Sequence, residues 1–588
     1  MTANISALKQ TISKKWIVAL AGLTALIYLF PTLLYHRNHS WDYFPRYSYD
    51  EEYYAVLAKS TAAGEALTAN PYLAGHEQDQ LRSSESITFL PRYAAAALVR
   101  ELGVGRGYAA ILLIVPLALW GLIYSLVRRL GGDALWAAAA GCGVLLLPYL
   151  LSPLVLTAKN LAALAIHGSW FGANAELQIH YLKRYNPALS AIAFYGFLSF
   201  HWRGAQRASR GGDWIAAVCG GLLFYCYFFF AVVALAFSAL WTVYRVAANP
   251  KDWLAAGAPL AAQLVISIPF VVWSLQNMRH YRESMSVPVR APYLPWPHLA
   301  ALVLAMAVVA FSGRAHLEPP RIWLLLLGLA ALLALNQHVV TGLHVEPWHF
   351  DAYVVAPFTL LIFCAAMGMR ESAASGRAGT VLACGMIALA LAHGASLQLF
   401  NARRIGAEEN AADHARLFRG VREAAQASDV VLADAGSPLP SWLVLHTGRH
   451  VYVSQFLAFL PVPDRQELRE RALCYYWLRG DDRAGFEAEG VNNTFSVLYN
   501  PEGSRYWFFP QLLTPEVREA RIREYEACGR DPESCCRRDR KINWIAETGA
   551  VRFNRARIAR LFAIERIERG AGYQLLYVER LPLVPQTP

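Results

Sequence analysis

Charge is what this sequence has least of. Only 16% of its 588 residues are Asp, Glu, Lys or Arg, where an average soluble domain carries about 25%. That shortage excludes an ordinary soluble enzyme. It is also uneven: up to about Phe400 the chain is dominated by long apolar runs, and the remainder reads as a soluble domain. Cysteine is sparse as well, and the nine present show no zinc-ligand spacing. Cys142, Cys219, Cys226, Cys364 and Cys384 lie in apolar runs and read as small core residues. Cys474, Cys528, Cys535 and Cys536 lie in the last part. In an oxidising compartment Cys528 can bond Cys535 or Cys536, leaving the other free or joined to Cys474. There is no Gly-rich strand-to-helix fingerprint, so a nucleotide-binding domain of that type is not expected. Internal repeats and low-complexity tracts are also missing. No cleavable leader is expected, because the run 16–34 after Lys14 and Lys15 lacks a small-residue cleavage site.

What the chain has instead is hydrophobic length. Apolar residues make up 56% and mean hydropathy is +0.28. Apolar runs fall at 16–34, 108–126, 134–156, 187–201, 213–226, 228–245, 252–274, 297–313, 321–336, 351–369 and 379–398, which predicts about eleven transmembrane helices. The run 213–245 is read as two spans with a tight turn near Tyr225–Tyr227. The net charge of +11 sits largely in short connections, among them Arg128–Arg129, Arg203 to Arg210, Arg245 with Lys251, and Arg370 with Arg377. This is the positive-inside pattern and not a nucleic-acid footprint. It places the N-terminus in the cytoplasm, and the expected location is a bacterial inner membrane. The long polar loops 35–107, 157–186, 275–296 and 337–350 then share the outer, periplasmic face with the C-terminal part. The expected division is a transmembrane domain over 1–399 and a soluble periplasmic α/β domain over 400–588. In the latter, Ala411–Ala427 and Arg465–Leu478 read as helices. Val430–Ala433, His450–Val453, Phe495–Tyr499 and Tyr573–Val578 read as strands.

Residues suited to chemistry gather in the outer loops. Asp50, Glu51 and Glu52 stand soon after the first span, followed by a helix to about Gly64 and then Asn70-Pro71-Tyr72. A carboxylate beside an apolar bundle can act as a base. The bland alternative is a capping box of Ser48 with Glu51. The second outer loop carries His167, Glu176, His180, Lys183 and Arg184, with Asn186-Pro187 reading as a helix start able to hold a phosphate. Arg279, His280, Arg282 and Glu283 follow in the next long loop. The last holds His338, His344, Glu346, His349 and Asp351. His344, Glu346 and His349 are metal-ligand types without a tight zinc spacing. Contact with a sugar or diphosphate is the preferred reading for His167, His180, His344, Glu346 and His349. No cofactor is demanded, and a divalent metal is left open.

An acidic pair after the first span, a surface helix, an outer Asn-Pro-Tyr, paired spans near Gly220–Ala234 and the stretch Asn336–His349 before a late span together resemble the GT-C class of polytopic membrane glycosyltransferases. The resemblance covers roughly residues 10–400 and is one of architecture. It implies transfer of a hexose or pentose, with inversion, from a polyprenyl-phosphate-linked donor. The acceptor would be a glycan, lipid or protein on the outer face. Carried over by position, Asp50 would be the general base and Glu51 its neighbour or alternative. The class needs cations for the anionic leaving group, and Lys183, Arg184, Arg279 and Arg282 are the candidates here. A third acid, Glu52, leaves the assignment within the triplet open. The competing reading is a polytopic lipid or sugar transporter or flippase. Transporters keep charged or broken helices near the midplane, whereas these spans are nearly free of charge.

Overall fold

The computed structural model describes residues 13–47, 51–65, 70–74, 88–147, 181–182, 187–207, 210–285, 292–311, 318–341, 347–370, 376–455, 465–493, 496–502, 513–549 and 551–582. The chain divides into two compact units. The first comprises Met1–Tyr47, Glu101–Gln276 and Val287–Glu408. The second comprises Ser48–Arg100, Asn277–Ser286 and Glu409–Pro588.

The first unit is helical, and each apolar run of the sequence overlaps a helix among the described residues, although of the run 134–156 only Ala134–Leu146 is described as helix and residues 148–156 lie outside the described residues. Lys14–His36, Val104–Arg129, Phe228–Ala248, Pro250–Gln276, Asp351–Gly368 and a stretch from Gly376 are long and apolar enough to cross a membrane. Ala134–Leu146, Trp296–Phe311 and Pro319–Leu335 are shorter apolar helices. The fold is therefore polytopic and α-helical. Its centre is Ala134–Leu146, an Ala- and Gly-rich helix buried on almost every side. It packs on Val104–Arg129, Ala356–Gly368 and Gly376–Ala407. Small residues let backbones approach where hydrocarbon surrounds the bundle. A Cβ added to Gly141 would meet the indole of Trp120 at 2.7 Å, and one on Gly394 would meet Leu146 at 2.8 Å. The first helix shows both environments. Ala25, Tyr28, Thr32 and Tyr35 are buried, while Trp16, Val18, Leu26 and Leu33 are exposed. An exposed face of that composition suits hydrocarbon and not water. Arg210–Leu222 ends in a 3-10 turn at Leu223–Tyr225, and a new helix starts at Phe228, so the run 213–245 is indeed broken at Tyr225–Tyr227.

The second unit is α/β. Strands β1 (Val430–Leu432), β2 (His450–Val451), β3 (Trp544–Thr548), β4 (Phe562–Gly570) and β5 (Tyr573–Arg580) form one sheet in the order β2-β1-β3-β5-β4. β1 is parallel to β2 and β3, and β5 is antiparallel to β3 and β4. The helix Leu439–Thr447 makes the crossover between β1 and β2, as a parallel pair requires. Two disulfides, Cys474–Cys536 and Cys528–Cys535, join Cα atoms 5.0 and 5.6 Å apart. They anchor the helices Arg465–Arg479 and Pro515–Arg530 to the segment before β3. Two expectations are corrected here. Of the run Phe495–Tyr499, residues Val497 to Tyr499 begin a 3-10 helix, Val497–Glu502, and not a strand; short apolar runs carry too little periodicity to decide. The expected helix Ala411–Ala427 is a 3-10 turn, Ala411–His414, leading into Ala415–Ala424. Asn410 caps that turn and fixes where it starts.

Candidate functional site

The second unit holds a group of polar side chains with little access to water. The helix Glu51–Ala62 opens with two acids, which suits the positive end of its dipole. Glu51 is 1% exposed and Glu52 0%. Burying carboxylates is costly unless they are matched by donors or charge, and such sites tend to be functional. The helix packs on Leu439–Thr447. Lys59 Nζ donates to the carbonyl of Leu445 across this contact. Burial, followed by the charge of Arg422, holds the Lys59 amine below its usual range, with Glu65 opposing. Arg92 is 1% exposed, and its Nε donates to the carbonyl of Leu57 at 3.2 Å.

The Asn-Pro-Tyr segment is fixed against the same helices. Asn70 Oδ1 accepts from the Tyr72 amide at 3.0 Å, and the Tyr72 carbonyl accepts from the Val451 amide at 2.8 Å. The Tyr72 hydroxyl lies 3.0 Å from Ser441 Oγ. Burial pushes the Tyr72 phenol well up; the Ser441 contact opposes this, and the charge of Glu52 adds to it. Asn70-Pro71-Tyr72 thus joins the acid helix to the edge of the sheet. The helix Glu51–Ala62 and its contacts hold two buried carboxylates, Glu51 and Glu52, and two cations, Lys59 and Arg92.

The first unit carries another polar group, on residues that flank apolar helices. Asp351 is 5% exposed and begins a π-helical turn, Asp351–Val355, a form often found at functional sites. Its Oδ2 lies 2.5 Å from His298 Nδ1. Asn336 Oδ1 accepts from the Tyr293 amide at 2.9 Å. His349, on the short helix Pro347–Phe350, sits edge-on to Phe229 at 4.6 Å, with Tyr353 at 5.5 Å and Tyr227 at 6.1 Å. Tyr181 donates to the Tyr353 carbonyl at 3.2 Å. Aromatic rings and a carboxylate–imidazole pair are groups that proteins use to hold polar ligands.

No family model matches this sequence, and no curated protein matches it either. Solved structures do match, thirteen chains in all, two of them as follows. One is the crystal structure of ArnT from Cupriavidus metallidurans bound to undecaprenyl phosphate. It is 12% identical with a TM-score of 0.52, over 96% of this chain and 98% of that one. The other is the same protein in the apo state, 12% identical with a TM-score of 0.51 and the same coverage. The chain shares its fold with ArnT. At that identity the likeness is one of fold, and it spans both units.

Within this ArnT-like fold the residues singled out from sequence fare unequally. Glu51 is described and buried. Asp50 lies outside the described residues, immediately before the helix Glu51–Ala62, as do His167, His180, Lys183, Arg184, His344 and Glu346. Arg279 and Arg282 fall in the last turns of the helix Trp253–Met285. They belong to Asn277–Ser286, which groups with Ser48–Arg100 in the second unit. Acids and arginines more than 200 positions apart in the sequence therefore share one unit. His349 is described, and its neighbours are aromatic rings. Among the described residues no group of three or more His, Cys, Asp or Glu side chains gathers for a metal. Sequence reasoning missed the pairing of His298 with Asp351. Asp351 stood out in the late loop, but nothing local marks His298, 53 positions earlier, as its partner.

Proposed function

We propose that this protein is a membrane glycosyltransferase that moves a sugar from a polyprenyl-phosphate-linked donor to a glycan, lipid or protein acceptor on the outer face of a bacterial inner membrane. The observation that carries the reading is the pair of fully buried carboxylates at the head of the helix Glu51–Ala62. They stand in a polytopic fold shared with a protein crystallised with undecaprenyl phosphate. That ligand belongs to the carrier class which the GT-C resemblance implies.

The chemistry follows from what a lipid-borne donor demands. Its tail stays in hydrocarbon and its phosphate at the interface, so the reaction needs a base at that depth and fixed positive charge for the departing phosphate. Asp50 takes the acceptor hydroxyl proton, with Glu51 as its neighbour or substitute. The freed oxygen attacks the anomeric carbon, the bond to the phosphate oxygen breaks, and the polyprenyl phosphate leaves as an anion, with inversion. Arg279 and Arg282, with Lys183 and Arg184, hold that phosphate through charge-assisted hydrogen bonds. His167, His180, His344, Glu346 and His349 are assigned to sugar or acceptor contact. A divalent metal is not required by this scheme and is not excluded by it.

Sidedness has two supports. Two disulfides suit an oxidising compartment, which favours a periplasmic C-terminal part. The Arg and Lys bias of the short connections favours a cytoplasmic N-terminus and eleven spans. The test is sugar transfer in proteoliposomes by Asp50→Asn and Glu51→Gln variants. Loss of a general base lowers turnover by about 100-fold or more. Asp50→Asn is expected to show that loss with insertion and donor binding intact, and Glu51→Gln a smaller one. Full turnover in both variants would overturn the assignment.

A further inference from the structure

The second unit contains a groove of about 250 Å³ that the transfer chemistry does not use. It lies where the 3-10 turn Ala411–His414 and the start of the helix Ala415–Ala424 meet the end of β3 and the β4–β5 turn. Glu409, Asp413, His414, Arg416, Thr548 and Tyr573 line it. Five of the six are placed by local contacts. Asp413 Oδ2 accepts from the Asn410 amide at 2.8 Å, closing a capping box. Glu409 Oε1 lies 2.7 Å from His414 Nε2, and the His414 ring is held 5.5 Å from that of Trp442. Thr548 and Tyr573 are cross-strand partners. The Tyr573 ring is fixed by two glycines, since a Cβ on either Gly420 or Gly570 would collide with it. Gly572, at φ +87°, makes the tight turn that brings Tyr573 back onto the sheet.

The lining selects a ligand class. Its lining carries two carboxylates and one guanidinium, which disfavours phosphates and other anions. The walls are mostly polar, which disfavours a lipid tail. The volume lies just below the usual range for small-molecule sites, about 300–1,000 Å³, so it suits a single ring. Carboxylates that accept from hydroxyls, an arginine that donates, and a rigid tyrosine ring beside them are the groups that recognise a sugar. An amine on that sugar would add to its fit with the two acids. We propose that this groove is a saccharide subsite, binding one neutral or amine-bearing sugar ring through Glu409, Asp413, Arg416 and Tyr573. As the contact through which the second unit recognises a glycan acceptor, it rests on the glycosyltransferase reading; the binding itself does not.

The test is saturation-transfer NMR on the full-length protein in nanodiscs, with glucosamine, glucose and glucose 6-phosphate as probes. Glucosamine and glucose are expected to receive saturation, and glucose 6-phosphate to receive less. Glu409→Gln and Arg416→Gln alter exposed side chains and leave the fold intact. Each should weaken binding by roughly three- to tenfold, the net worth of an ordinary hydrogen bond at an exposed site. Tyr573→Phe should keep binding and Tyr573→Ala should lose it. Should Tyr573→Ala fail to fold, the two exposed substitutions decide the matter. No saturation of either neutral or amine-bearing sugar, equal binding in Glu409→Gln and Arg416→Gln, or preference for the phosphate would overturn the proposal. Donor-lipid turnover by Asp50→Asn is read separately, so failure of the groove and failure of the enzyme reading are distinguishable.

Discussion

The two units bury their backbones by different means. Among the described residues of the helical unit charged contacts are few and scattered, Arg245 with Asp213 at 2.9 Å, Arg46 with Glu408 at 3.7 Å and His298 with Asp351 at 2.5 Å among them. Its helices touch through glycine and alanine, and they leave Leu264, Val265, Ile268, Val271 and Val272 exposed. In the α/β unit exposed large apolar side chains are scarce among the described residues, and arginines are woven through the interior. Arg471 meets Glu467 at 2.6 Å, Arg540 meets Glu470 at 2.7 Å, and the buried Glu547 accepts from the Phe553 amide at 2.8 Å. The contrast follows from solvent. Hydrocarbon does not reward hiding a leucine, so helices there cohere through close backbone approach. Water does reward it, and the second unit adds disulfides and ion pairs to its apolar core.

That contrast breaks most visibly under reduction. The Cys474–Cys536 bond closes a loop of 62 positions, which the chain-entropy account values at about 4 kcal/mol. Cleavage of both disulfides, or the Cys474→Ser/Cys536→Ser variant, is expected to speed hydrogen exchange across Arg465–Arg479 and β3 while leaving the apolar helices protected. Equal loss in both units would refute separate sources of stability. Close helix approach is next in size. Gly141→Ala places a Cβ against the Trp120 indole, which should cost about 1–3 kcal/mol and lower the detergent melting temperature of the helical unit alone. A silent substitution there would mean that the bundle is loosely packed.

The smallest effect concerns acid. Burial, then the charges of Lys59 and Arg422, push the His446 imidazole down to about 3. The ring also stacks on Phe418 at 5.1 Å. A histidine whose folded pKa lies below its usual value near 6.5 binds protons better when unfolded. Its contribution is complete above about pH 6.5 and is lost as pH falls towards 3. At pH 5 the second unit should already be weaker by about 1–2 kcal/mol. His446→Gln should flatten that part of the pH–stability curve, and an unchanged slope would assign the acid sensitivity to other groups.

The helical unit was legible because its signal is redundant: an apolar run of 20 or so residues is readable without knowing its partners. The α/β unit was less so. β3 was missed because Trp544-Ile545-Ala546 is a short apolar run amid polar neighbours. β4 was missed because Glu565, Arg566, Glu568 and Arg569 hide its alternation. The disulfide partners were narrowed to the right set, since vicinal Cys535 and Cys536 must look elsewhere. At the candidate site, position along the chain pointed to the acids at 50–52, and Glu51 and Glu52 are buried. The juxtaposition of Glu51–Ala62 with Leu439–Thr447 was not readable, because nothing in either helix names a partner almost 400 positions away. The His298–Asp351 contact was hidden for the same reason.

The most direct measurement compares retention of undecaprenyl phosphate and undecaprenol by the purified full chain in native mass spectrometry. The two lipids share a tail and differ only in the phosphate. The phosphate form should stay bound through activation energies that strip the alcohol, and Arg279→Ala with Arg282→Ala should erase the difference. Equal retention of both lipids by the unaltered protein would contradict a site built for a lipid-borne phosphate.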